Sequence, residues 1–198
     1  TVSTDHVGPD EARAGRWVSG TFGWWWRYED GSYPTSTQLR IDGAIYRFNA
    51  RGYMVTGWVY EDGQWYYYGA SGGQAAGWVH VHGTWYYLDP LTGAMASGWT
   101  KVQGTWYYLS SSGAMRTGWV RDGSAWYYLT SSGALATGWQ RVGSSWYYLS
   151  SDGGAMVTGW LRDGDAWYYL TSSGAMATGS RWIDGTRYAF DDEGRLMP

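Results

Sequence analysis

The chain has 198 residues, with Lys+Arg 14 against Asp+Glu 17, no cysteine, and 17 Trp and 19 Tyr beside only 3 Phe. A formal net charge of −3 offers no basic field to a phosphate backbone, which argues against nucleic acid as a partner. Disulfide and thiolate chemistry are excluded, and no apolar run approaches the roughly 20 residues of a membrane span.

Residues 1–22 fit no repeat and lack the apolar core of a signal peptide, so they read as a linker or the tail of a preceding domain, any export signal lying upstream. Residues 23–56 read as a leading unit, "GWWWRYEDGSYP", an insertion carrying Pro34, and a degraded repeat with Ile45 and Arg47 at aromatic positions. Residues 57–178 hold six regular repeats of about 20 residues. There the dipeptide "GW" places Trp58, Trp78, Trp99, Trp119, Trp139 and Trp160 at spacings of 20, 21, 20, 20 and 21. Each is followed seven residues later by a second tryptophan, Trp65, Trp85, Trp106, Trp126, Trp146 and Trp167. Residues 179–198 keep the frame but put Ser180, Arg187 and Ala189 at the ring positions, which predicts a capping repeat.

In a unit such as "GWVRDGSAWYYLTSSGALAT", two β-prone runs flank a turn-forming "RDGS", and "TSSGA" resets the chain for the next unit. A lone hairpin is marginal in water, so the units must stack on one another. The expected fold is all-β, a solenoid of stacked β-hairpins with no helix of consequence. Acidic residues such as Asp122, Asp163 and Asp184 are placed in the hairpin turns.

Side chains alternate faces along a strand, so the Trp and second Tyr of "WYYL" share one face, and the first Tyr and Leu, such as Tyr127 and Leu129, share the other. The two tryptophans of a hairpin can come opposite one another as a cross-strand pair. Leu or Val would serve a core, yet tryptophan holds twelve positions in fixed frame. Converging electron-rich faces suggest an aromatic cage for a cation without donor hydrogens, above all a quaternary ammonium such as choline.

The pattern "TGWV…G…WYYL…SGAMATGW", over residues from about 23 to 198, resembles the choline-binding (cell-wall-binding) repeats of Gram-positive surface proteins and cell-wall hydrolases. That resemblance implies a superhelix of hairpins on the cell wall or cell surface, binding choline or phosphocholine of teichoic acid, with no cofactor. It also implies sites made from two tryptophans of one hairpin and a tyrosine of the next, with a Met or Leu wall. By position, Trp58 and Trp65 would meet Tyr87, and Trp78 and Trp85 would meet Tyr108. Trp99 and Trp106 would meet Tyr128, Trp119 and Trp126 would meet Tyr148, and Trp139 and Trp146 would meet Tyr169. Met95, Met115, Leu135, Met156 and Met176 hold the wall position. Trp160 and Trp167 face Ala189, which leaves a sixth site only if Trp182 substitutes, and Arg47 removes a ring from the leading unit. The resemblance also implies a homodimer through the C-terminal repeats as an option, as in some members of that family.

Glycan is the rival ligand, because sugars stack on aromatic rings too; but sugars need placed polar partners, and Arg121, Gln140, Arg141 and Arg162 vary from unit to unit. A structural spacer with a covered aromatic face is a third reading. An enzyme finds little footing: no third ligand recurs with His80 and His82, and no carboxylate pair or Ser-His arrangement stands out.

Overall fold

Two-residue turns that contain a glycine set the register of every regular hairpin. In the turns Asp62-Gly63, His82-Gly83 and Gln103-Gly104 both residues have positive φ, from 47° to 88°, the type I′ geometry that matches strand twist. In "RDGS" at 121–124 and "RDGD" at 162–165 the glycine comes first: Gly123 and Gly164 have φ of 58° and 59°, and Asp122 and Asp163 end their strands instead of occupying the turn. That one-residue offset corrects the placement of these two aspartates, whereas Asp184 does sit in its turn with φ of 50°.

The computed structural model describes residues 9–198, and among them there is no helix. The strands are β1 Gly15–Gly20, β2 Gly23–Tyr28, β3 Thr37–Ile41, β4 Ala44–Phe48, β5 Gly57–Glu61, β6 Gln64–Tyr68, β7 Gly77–Val81, β8 Thr84–Leu88 and β9 Gly98–Val102. They continue as β10 Thr105–Leu109, β11 Gly118–Asp122, β12 Ala125–Leu129, β13 Gly138–Val142, β14 Ser145–Leu149, β15 Gly159–Asp163, β16 Ala166–Leu170, β17 Gly179–Ile183 and β18 Thr186–Phe190. Each consecutive pair forms its own two-stranded antiparallel sheet. The chain divides into two units: one carries β1 to β8 together with Ser111–Ala114, the other Gly98–Ser110 and Met115–Pro198.

Within each unit the last residue of every second strand from β4 onward forms the centre of the core. Phe48, Tyr68 and Leu88 in the first unit, and Leu109, Leu129, Leu149, Leu170 and Phe190 in the second, are all at most 2% exposed. Each such leucine contributes about 1.5–3 kcal/mol by leaving water. The following loop returns beside it through a short bridge, as in Leu129 to Leu135 and Leu170 to Met176. Tyr68 carries a hydroxyl into that slot without a hydrogen-bond partner, and burial pushes its pKa up to about 12.

Residues 1–8 of the expected linker lie outside the described residues. The rest of that segment is structured: β1 pairs with β2, Ala12 donates to the Arg40 carbonyl at 2.9 Å, and Trp26 donates its indole proton to the Arg13 carbonyl at 3.2 Å. The first hairpin thus begins at Gly15, ahead of the expected boundary at 23. The sign was in the chain, since Trp17 precedes Trp24 by the same seven residues as in the regular repeats. Its strand lacks the flanking "GW", which hides the match.

Candidate functional site

Cross-strand register decides which rings meet. The first tryptophan of each regular hairpin lies opposite the second tyrosine of the same hairpin, Trp119 opposite Tyr128 for example, and Trp126 lies opposite Arg121. The two tryptophans are therefore diagonal neighbours on one face, not a directly opposed pair. Their rings stand edge to face at 6.4 Å in Trp58–Trp65, Trp78–Trp85 and Trp160–Trp167, and at 6.5 Å in Trp119–Trp126. The second tryptophans, Trp65, Trp85, Trp106, Trp126, Trp146 and Trp167, are each 41–44% exposed. So regular an exposure of the largest apolar side chain is not core packing.

The tyrosine that closes each cage is the first of the pair, not the second. Trp58 meets Tyr86, Trp99 meets Tyr127 and Trp139 meets Tyr168, all at 4.8 Å, and Trp119 meets Tyr147 at 4.9 Å, with interplanar angles of 61–69°. Tyr87, Tyr108, Tyr128, Tyr148 and Tyr169, expected in this role, instead lie 5.0–5.2 Å from the first tryptophan of their own hairpin. Alternation explains the correction. The second tyrosine shares its hairpin's tryptophan face, so a ring arriving from the next hairpin must come from that hairpin's opposite face, where the first tyrosine stands. Tyr127, expected to pack between hairpins, does so and is also a cage wall.

The apolar wall comes with the same tyrosine's hairpin. The backbone amides of Met95, Leu135, Met156 and Met176 donate to the carbonyls of Trp65, Trp106, Trp126 and Trp146 at 2.7–2.8 Å. Open clefts of about 290 to 360 Å³ result: Trp99, Trp106, Tyr127 and Leu135; Trp119, Trp126, Tyr147 and Met156; Trp139, Trp146, Tyr168 and Met176. A third hairpin supplies a glycine behind the wall. Gly174 has φ of 81°, which favours glycine, and a Cβ there would push the flexible Met156 side chain out of place. Met115 stands likewise against Gly133 and bridges Leu109.

Two further cages lie at the ends of the array, where the sequence left a C-terminal site open only through Trp182 and a ring missing from the leading unit. At the N-terminal end Trp17 meets Tyr46 at 4.8 Å and, with Trp24 and Met54, lines a cleft of about 470 Å³. At the C-terminal end Trp160 meets Tyr188 at 4.8 Å, and the Leu196 amide donates to the Trp167 carbonyl at 2.8 Å. Ala189 is no obstacle, because it replaces the second tyrosine. Trp182 lies opposite Arg187 and is 74% exposed, and it does not join that cage. By contrast, β3 and β4 present Gln38, Ile45 and Arg47 on the tryptophan face, and Glu61 pairs with Arg47 and accepts from Gln38 at 3.1 Å.

Polar groups differ among the cages. Trp99 and Trp139 donate their indole protons to Asp122 at 3.0 Å and Asp163 at 2.8 Å. Lys101 Nζ lies 5.6 Å from the Trp106 ring centre. Asp192, Glu193 and Arg195 rim the Trp139 cage, and a hydrogen bond with Tyr168, then Asp191 and Glu193, raises the Arg195 pKa. The His80 ring lies tilted by 40° beside Trp85, centres 4.9 Å apart, while His82 sits in its turn with φ of 47°. Among the described residues no group of three His, Cys, Asp or Glu could hold a metal, and no helix is long and apolar enough to cross a membrane.

A family model described as a choline-binding repeat matches residues 35–76, 62–98, 96–137 and 136–179. The structure is similar to choline binding protein F from Streptococcus pneumoniae, at 37% identity and a TM-score of 0.76, covering 88% of this chain and 61% of that one. It is also similar to the choline-binding domain of CbpL from Streptococcus pneumoniae, at 31% identity, a TM-score of 0.68, and 93% and 98% coverage. A third similarity is to the modular autolysin LytC from Streptococcus pneumoniae, at 34% identity, a TM-score of 0.69, and 93% and 42% coverage. This chain thus spans 61% of the length of protein F and 42% of that of the autolysin, less than two thirds of each. No curated protein sequence matches it.

Proposed function

The chain belongs to the choline-binding repeat family, and from that premise we propose that it is a non-catalytic module holding its parent protein on an extracellular cell wall or surface rich in choline. The ligand is the phosphocholine of teichoic acid, taken up in several cages at once. The observation that carries this reading is the open cage of three rings and an apolar side chain, recurring with the same 4.8–4.9 Å tryptophan–tyrosine contact. Three π faces and a thioether or aliphatic wall suit a trimethylammonium group, which has charge and methyl groups but no proton to donate.

Each ring contributes about 0.5–2 kcal/mol to a bound cation. Less the cost of immobilising the ligand, three rings leave on the order of −4 kcal/mol, a dissociation constant of about 1 mM. One cage is therefore a weak site, and a polymer bridging several raises avidity roughly 10²- to 10⁴-fold. Catalysis belongs to any domain joined to this module.

Titration with choline, followed by tryptophan fluorescence, calorimetric stoichiometry and melting temperature, tests the reading. Millimolar choline is expected to perturb fluorescence, to fill several sites and to raise Tm. A response to an α-glucan oligosaccharide but not to choline would transfer the assignment to glycans, and a response to neither would leave a spacer.

A further inference from the structure

The last residue of the next hairpin's first strand is aliphatic in four cages, Ile41, Val81, Val142 and Ile183, and three of these side chains are buried. In the cages of Trp99 and Trp139 the same position holds Asp122 and Asp163, whose carboxylates accept the indole protons at 3.0 and 2.8 Å. We infer that Asp122 and Asp163 are positioning residues that make these two cages a distinct, higher-affinity class for quaternary ammonium. The inference rests on the choline reading above.

Two physical effects act in the same direction. An indole N–H given to a carboxylate loses one of its rotational alternatives, so the ring that forms one cage wall is held in place before the ligand arrives. The carboxylate also polarises the indole, pushing electron density toward the π face that the cation meets, and its own charge favours a cation nearby. Turn chemistry permits this. With Gly123 and Gly164 taking the first turn position, the aspartates stay on the strand and on the face that looks toward the preceding hairpin. Both carboxylates are exposed, so the effect is moderate.

The test compares choline with its uncharged carbon isostere, 3,3-dimethyl-1-butanol, by calorimetry on the full chain. The Asp122→Val, Asp163→Val double variant is expected to weaken two sites by about two- to fivefold for choline and to leave the others as they were. Asp→Asn at both positions keeps an acceptor oxygen and hence the ring placement, so choline affinity falls while the isostere binds as before. Val142→Asp is expected to strengthen the Trp119 cage. Unchanged choline binding in the valine variant, equal losses for both ligands in the asparagine variant, or no gain from Val142→Asp each overturns the inference. A wild-type chain that fails to bind choline overturns the underlying reading instead.

Discussion

Hairpins β3–β4 and β11–β12 share one backbone plan and differ in what covers it. Both are five-residue strands joined by a two-residue turn, and both end in a wholly buried side chain, Phe48 in one and Leu129 in the other. On the outer face, β11–β12 carries Trp119, Trp126 and Tyr128, whereas β3–β4 carries Gln38, Ile45 and Arg47, with Glu61 closing a polar network in place of a cage. The fold is thus indifferent to the rings. Their retention in the other hairpins answers to something outside the fold, which is why exposure and ligand binding belong together here.

The comparison breaks if the rings prove to be core. Leu129→Ala is expected to cost about 2–5 kcal/mol in urea unfolding, because the slot is closed and cannot collapse. Trp126→Ala, at a ring 41% exposed, is expected to cost less than about 1 kcal/mol while removing one choline site by calorimetry. Equal destabilisation by the two would return the aromatic face to the core. Gly174→Ala is expected to destabilise by about 1–3 kcal/mol, through its positive φ, and to weaken the Trp119 cage through the displaced Met156.

The polar hairpin sharpens the comparison from the other side. Arg47→Leu strands Glu61 half-buried and is expected to cost about 1–3 kcal/mol, with no change in the number of choline sites. At the core slot, Tyr68→Phe removes an unpartnered hydroxyl and is expected to gain about 1 kcal/mol. Because the folded-state pKa of Tyr68 is raised, the wild type binds that proton more tightly when folded. It therefore loses stability as pH climbs from 10 to about 12, and thermal melts across that range should show the loss reduced in Tyr68→Phe.

Much of the architecture was legible because turns and alternation are local. Gly-containing two-residue turns, β-prone runs and a period of about 20 residues identify hairpins and their need to stack. The faces were legible too: Trp126 and Tyr128 on one side, Tyr127 and Leu129 on the other. Followed through, that alternation would have named Tyr127 rather than Tyr128 as the visitor to the Trp99 cage. The N-terminal cage was hidden because Trp17 lacks the preceding glycine of the "GW" dipeptide, and the C-terminal one because Ala189 was judged at the wrong tyrosine position.

By itself the amino-acid sequence determined the hairpins, their number in the regular array, the tryptophan spacing and the aromatic character of the site, since each follows from residue type and local period. Only the tertiary structure decided which tyrosine closes which cage, that Asp122 and Asp163 hold indole protons, and that Gly174, two hairpins on from Trp119, backs the Met156 wall. Those facts depend on how one hairpin's back face meets another's front. A one-residue change of turn position or strand face reverses such a contact without altering the period from which it is read.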